Sequence, residues 1–131
     1  MTTSYPSDVA FTPAVKAIQA QKGSREAYAR VEEGRGWNTE ITEDLAEFIA
    51  HQRSFFLATA NAEGQPYIQH RGGPPGFLRV VDSHTLGFAD FRGNRQYISI
   101  GNLGENPKVH LFLIDYAERT RVKIWGHAQV I

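Results

Sequence analysis

Residues 86–103 read LGFADFRGNRQYISIGNL, and residues 69–73 upstream read QHRGG. The apolar run Leu86-Gly87-Phe88-Ala89 has the look of a strand entering a core. Asp90-Phe91-Arg92-Gly93 then makes a turn. Asn94-Arg95-Gln96 is expected to open a helix whose Ile98 and Leu103 face inward. A strand, a Gly-bearing turn and a new helix with Asn at its cap make an anion site. The first amides of a helix have no internal partner, and the helix dipole is positive there. Arg95 would add a charge-assisted, potentially bidentate contact to a phosphate. The same residues also fit an ordinary capped helix carrying a solvated Arg.

Two features downstream and upstream sharpen this. Glu105-Asn106-Pro107-Lys108-Val109 opens a new strand after the helix, and Gly64-Gln65-Pro66-Tyr67 precedes the strand that ends Gln69-His70-Arg71-Gly72. That order of short motifs resembles the FMN-binding split-barrel flavoproteins, the pyridoxamine 5'-phosphate oxidase-like family. The resemblance runs from about residue 45 to residue 131, over several short motifs rather than one signature.

Composition sets the bounds. At 131 residues the chain is long enough to bury a real core, and by length it is one domain. Lys+Arg 14 balance Asp+Glu 14, which argues against a generic nucleic-acid or membrane-surface role. There is no cysteine, so disulfides, thiolate metal sites and cysteine nucleophiles are excluded. No apolar run approaches the length of a membrane span, and residues 1–6 lack the layout of a signal peptide. A cytoplasmic protein is the expectation.

In chain order, residues 1–13 read as an extended lead-in. Val15, Ile18 and Lys22 suggest a short helix ended by Gly23, and Ser24 is expected to cap a second, with Ala27, Tyr28 and Val31 on one side. These form an N-terminal helical extension, residues 1–40, expected to pack over a barrel or a partner subunit. Thr42 starts the clearest helix: Glu43 and Asp44 suit the dipole, and Leu45, Phe48, Ile49 and Gln52 make a stripe over the core.

The periodicity then changes. Residues 54–60, SFFLATA, are a buried strand, and Asn61-Ala62-Glu63-Gly64 is a hairpin turn with Gly where a positive φ is easiest. Residues 66–71 return as a second strand with Tyr67, Gln69 and Arg71 on one face. Gly72 and Gly73 would let something flat or large approach the backbone. A third strand over residues 77–81 and a fourth from Leu86 follow. Val109, Leu111 and Leu113 alternate along a fifth. In the last, Val122, Ile124, Gly126, Ala128 and Val130 face one way.

About six strands at hairpin spacing, with a helix before them and one among them, indicate a mainly β, α+β domain over residues 41–131. Its expected form is a six-stranded antiparallel split β-barrel with N-terminal helices and a short helix between strands. The chain stops at Ile131, which reads as mid-strand. Members of the resembled family usually continue with further helix and strand, so the chain is either a fragment or a short member.

The resemblance implies FMN as cofactor and names its contacts. Asn94, Arg95 and Gln96 would clamp the phosphate, with Arg71 reaching it from the neighbouring strand. Gln69, His70, Arg71 and Gly72 would run beside the flavin ring, and Ala89 and Asp90 would lie under it. Asp90 departs from the family, where a neutral hydroxyl residue is commoner, and Gln96 stands where many members have Lys. Arg121 would stabilise negative charge at the edge of the reduced ring and raise its potential. The implied function is an oxidoreductase moving electrons between an unidentified small substrate and flavin, as a homodimer with flavin at the subunit interface. No acid or base is identifiable, so no catalytic residue is named.

The rival readings are a non-catalytic flavin, haem or deazaflavin binder of the same fold, and a small-barrel nucleic-acid module using Arg119, Arg121, Lys123 and Trp125. A metal enzyme is disfavoured, because His51, His70, His84, His110 and His127 show neither H-x-H nor H-x-x-x-H spacing.

Overall fold

The computed structural model describes residues 4–90 and 95–131. The chain divides into two compact units, Met1–Ile41 and Thr42–Ile131.

In the first unit the lead-in is not wholly extended. Pro6–Val9 form a 3₁₀ turn with Ser7 buried, and the Asp8 carboxylate accepts from the Tyr5 amide at 3.1 Å and from Lys16 Nζ at 2.9 Å. Those donors hold the Asp8 carboxyl below its usual range, the Tyr5 amide most of all. Helix α1 (Pro13–Lys22) is capped by Thr12, whose Oγ1 accepts from Val15 N, and it ends at Gly23 with φ +90°. Helix α2 (Arg25–Glu33) follows at once. Ser24 does not cap it: its backbone is already helical, at φ −103° and ψ −7°, and its side chain makes no cap hydrogen bond. A capping oxygen must sit in extended backbone to reach back to the N2 or N3 amide, and the tight turn at Gly23 denies Ser24 that geometry. Phe11 packs edge-on against both Tyr28 and Trp37, and Arg25 bridges Gln19 and the buried Glu32.

The second unit begins with α3 (Glu43–His51), capped by Thr42 Oγ1 on Leu45 N. Ile49 is fully buried on it. Gln52, which extends the apolar stripe in sequence, is the buried C-cap just beyond the helix; its Nε2 donates to Phe48 O and to Asp115 Oδ2.

Six strands follow among the described residues: β1 (Ser54–Ala60), β2 (Pro66–Gly72), β3 (Arg79–Asp82), β4 (Thr85–Gly87), β5 (Lys108–Asp115) and β6 (Thr120–His127). They form a four-stranded antiparallel sheet in the order β2-β1-β5-β6, and a separate β3–β4 hairpin. The expected α+β class and strand number are present. Among the described residues, however, no pairing joins β2 to β6, so the hydrogen-bonded sheet is open rather than a closed barrel.

Alternation decides the two faces of the large sheet. Phe55, Leu57 and Thr59 of β1 and Val109, Leu111 and Leu113 of β5 are buried on one face, with Leu78 and Ile49 completing the core. On the other face lie the half-buried Phe56, Ala58, His110, Phe112, Ile114 and Trp125.

The β1–β2 turn has the expected chemistry. Asn61 Oδ1 accepts from the amides of Glu63 and Gln65, and Gly64 takes φ +88°. β3 starts at Arg79, two residues later than the pattern suggests, because Phe77 and Leu78 are turned into the core instead of extended. The last strand ends at His127. Beyond it the Ala128 amide donates to Pro107 O, so Ile131 is not in mid-strand.

Helix α4 (Ile98–Glu105) crosses β1 and β2. It opens three residues later than the sequence suggests. Its N-cap is Tyr97, at φ +55°, and Arg95 also lies in the left-handed region, at φ +62°. Two such departures from right-handed backbone so close together cannot belong to a helix, so Arg95 and Gln96 lead into α4 rather than form its first turn. Its most buried residue is Ser99, 4% exposed, while Ile98 is 38% exposed and Leu103 half-buried.

Candidate functional site

Strand β2 is an edge strand whose side chains alternate, with Tyr67, Gln69 and Arg71 on the core-side face. Among the described residues β2 pairs on one side only, and α4 and the segment after β4 reach these side chains. The Ser99 hydroxyl donates to Gln69 Oε1 at 3.0 Å, and Asn102 Nδ2 donates to Thr59 Oγ1 at 3.0 Å. The i, i+3 pair Ser99 and Asn102 therefore pins α4 onto the first two strands.

Arg71 is the centre of this edge. Its guanidinium lies 5.8 Å from the Phe88 ring centroid and pairs through Nη1 with Asp90 Oδ1. The side chain is 15% exposed, and its Nε–H is buried with no acceptor among the described residues. Phe88 in turn meets Phe55 edge-on at 5.0 Å, and Phe55 stacks on Phe77 at 5.6 Å, so the aromatic support of Arg71 runs into the core.

The residues expected at one cofactor site separate as follows. Gln69, Arg71 and Asp90 come together. His70 lies on the opposite face of β2, edge-on to Phe56 at 5.4 Å. Gly72 lies at the end of β2, where a Cβ would meet the His70 ring at 3.3 Å and Arg53 O at 3.4 Å. A Cβ on Gly73 would lie 2.8 Å from Phe77 Cγ. What closely approaches these two glycines is therefore the chain itself. Ala89, Arg95 and Gln96 are exposed, and Asn94 lies outside the described residues. The helix itself starts at Ile98 with Tyr97 as its N-cap, so Arg95 precedes α4 instead of lying in its first turn.

Arg121 does not join this group within one chain. It lies on β6, the far edge of the sheet, opposite Ile114 of β5 and on the other face from Arg71. There it lines an open groove of about 380 Å³ at the β5–β6 turn, with Arg119, Tyr116 and Asp115. Asp115 Oδ1 accepts from the Glu118 amide, which holds that carboxyl below its usual range.

The outer face of the sheet carries its own titratable group. His110 meets Trp125 edge-on at 4.6 Å; burial lowers its pKa and the nearby Lys123 lowers it further. It is thus held neutral near pH 7. No group of three or more His, Asp or Glu able to hold a metal occurs among the described residues, and no described helix is long and apolar enough to cross a membrane.

Ser99 and Phe88 are not singled out by sequence reasoning. The legible signal for Ser99 is a pair of polar residues, Ser99 and Asn102, at helical spacing in an otherwise apolar segment. Phe88 reads in sequence only as part of the strand.

An edge strand presenting Gln69 and Arg71 beneath a short helix, on an antiparallel sheet that follows a helix, is the arrangement of a small α+β domain. The family profile described as pyridoxamine 5'-phosphate oxidase matches residues 41–131, and the chain belongs to that family. Among solved structures, the chain resembles a histidine-to-alanine variant of HupZ from group A Streptococcus, with a TM-score of 0.55 and 20% identity over 68% of this chain and 69% of that one. That likeness is one of fold. No curated protein sequence matches the chain significantly.

Proposed function

We propose that this protein is an FMN-binding flavoprotein that transfers electrons between a small substrate and the flavin. The observation that carries the reading is the buried Nε–H of Arg71 on the edge strand, which meets no acceptor among the described residues. A buried guanidinium donor left without a partner is costly, and a phosphate oxygen is the acceptor that suits it. The residues present fit the group. Arg71 would hold the phosphate, with exposed Arg95 adding charge from the loop ahead of α4. Gln69, fixed by Ser99, and the β2 backbone through Gly72 would offer polar contacts to the ring. Bound FMN would supply two-electron chemistry, while the protein binds, orients and tunes.

The working unit in this reading is a homodimer of split barrels in the cytoplasm. The half-buried apolar outer face of the sheet, with Phe56, Phe112 and Trp125, supports an interface between copies. Arg121, on the edge and face opposite Arg71, would reach a flavin only across such an interface. The 1–40 helical segment is assigned as an extension to the 41–131 domain.

The test is a visible absorption spectrum of the purified protein after incubation with FMN and gel filtration, with mass measured by light scattering. About one retained flavin per subunit, at twice the chain mass, supports the reading. A haem-type band in place of flavin would keep the fold and change the ligand, and a protein that retains no flavin would sink the proposal.

A further inference from the structure

The Arg71–Asp90 pair has a consequence for which ligands the site accepts. Asp90 occupies one end of the Arg71 guanidinium, so the pair is close to neutral as a unit. The two partners are not equally held. Arg71 is 15% exposed, rests against the Phe88 ring and springs from a strand paired along its length with β1. Asp90 is 36% exposed and lies beyond the end of β4. If the pair opens, Asp90 can rehydrate its charge in solvent, whereas Arg71 stays where it is. Asp90 accepts from Nη1 alone, and the buried Nε–H has no acceptor among the described residues, so the carboxylate does not satisfy the whole guanidinium.

We propose that Asp90 is a built-in counter-ion of the anion site, which a phosphate-bearing ligand must displace from Arg71. The inference rests on the reading of Arg71 as a phosphate ligand. While Asp90 stays in place, the phosphate meets a neutral pair and a nearby negative charge. Once it turns away, the phosphate meets a full positive charge held by the fold. Asp90 therefore sets selectivity: it lowers affinity for ligands with a doubly charged tail and leaves those with an uncharged tail unaffected.

The experiment compares FMN with riboflavin, which has the same ring and no phosphate. Both are titrated by flavin fluorescence into the full chain, the Asp90→Asn variant and the Arg71→Lys variant. Asp90→Ser is a second route to the same deletion of charge should Asp90→Asn fold poorly, and melting curves without ligand verify folding. The expected result is FMN affinity raised on the order of tenfold in Asp90→Asn, the scale of a partly exposed ion pair, with riboflavin affinity unchanged. If Asp90→Asn weakens FMN and riboflavin alike, Asp90 merely supports the loop and the proposal falls. If FMN affinity is unchanged in Asp90→Asn but weakened in Arg71→Lys, the counter-ion role is overturned and the phosphate site stands. Arg71→Lys binding both flavins as the parent does would remove the phosphate site and this inference with it.

Discussion

The Ser99 hydroxyl donates to Gln69 Oε1 at 3.0 Å, joining the first turn of α4 to the edge strand 30 residues earlier. Ser99 is 4% exposed, so no solvent replaces the bond when it is lost. Ser99→Ala is expected to destabilise the fold by about 1 kcal/mol, the usual net worth of such a bond. It should also release the Gln69 amide, so that flavin retention falls by more than the stability change explains. Denaturant unfolding beside a flavin titration would check both; a variant of unchanged stability would show that the bond contributes nothing.

Glycine-to-alanine changes at two positions should have opposite signs. At Gly73 the new Cβ would sit 2.8 Å from Phe77 Cγ and 2.9 Å from Phe77 Cβ, and Phe77 stacks on the buried Phe55. The ring cannot retreat without disturbing the core, so Gly73→Ala should destabilise by about 1–3 kcal/mol. Gly101 lies inside α4, where an added methyl group would meet nothing within 4 Å. There Gly101→Ala should stabilise by roughly 0.5–1 kcal/mol through helix propensity. Chemical denaturation of the two variants decides it, and equal effects would refute the packing argument.

The helix caps offer a second paired comparison. Thr42 Oγ1 accepts from Leu45 N at 3.2 Å, whereas the Ser24 side chain makes no cap bond. Thr42→Ala should lower stability by about 1 kcal/mol and Ser24→Ala should leave it nearly unchanged. Loss of stability in the Ser24 variant equal to that in Thr42→Ala would contradict the observed backbone at Ser24.

His110 makes stability depend on pH in a defined direction. Burial first, and Lys123 second, hold its pKa below the ordinary value of 6.5. The unfolded chain then binds this proton at a higher pH than the folded one, so stability is full above about pH 6.5 and declines as pH falls through the lowered pKa. The edge-on Trp125 and the cationic Lys123 are what the charged imidazole would face. His110→Phe keeps the ring and removes the titration. Its stability should fall less between pH 7 and pH 5 than the parent's, measured by denaturation at each pH; parallel curves would remove His110 from the acid sensitivity.

How much of this is legible in sequence differs by element. Strands β1 and β5 are readable because each alternates strictly between a buried and a half-exposed face, with Phe55, Leu57 and Val109, Leu111, Leu113 as the buried series. The Asn61–Gly64 turn and the Thr42 cap are readable because each depends on local chemistry. Ser24, by contrast, has the right side chain in the wrong backbone. The start of α4 is misplaced by sequence because Asn94-Arg95-Gln96 fits a capped helix, whereas Arg95 and Tyr97 take positive φ. Nothing in residue preference announces that for an Arg or a Tyr.

The site divides along the same line. Sequence by itself determined which residues could carry phosphate chemistry, and the alternation that puts Gln69 and Arg71 on one face of β2, since a strand's period of two is a local property. Only the tertiary structure decided that Asp90 neutralises Arg71, that Ser99 holds Gln69, and that Arg121 sits on the opposite face at the far edge of the sheet. Those outcomes depend on strand order and register between segments tens of residues apart. Pairing at that distance is set by the packing of the whole core, which no local pattern encodes.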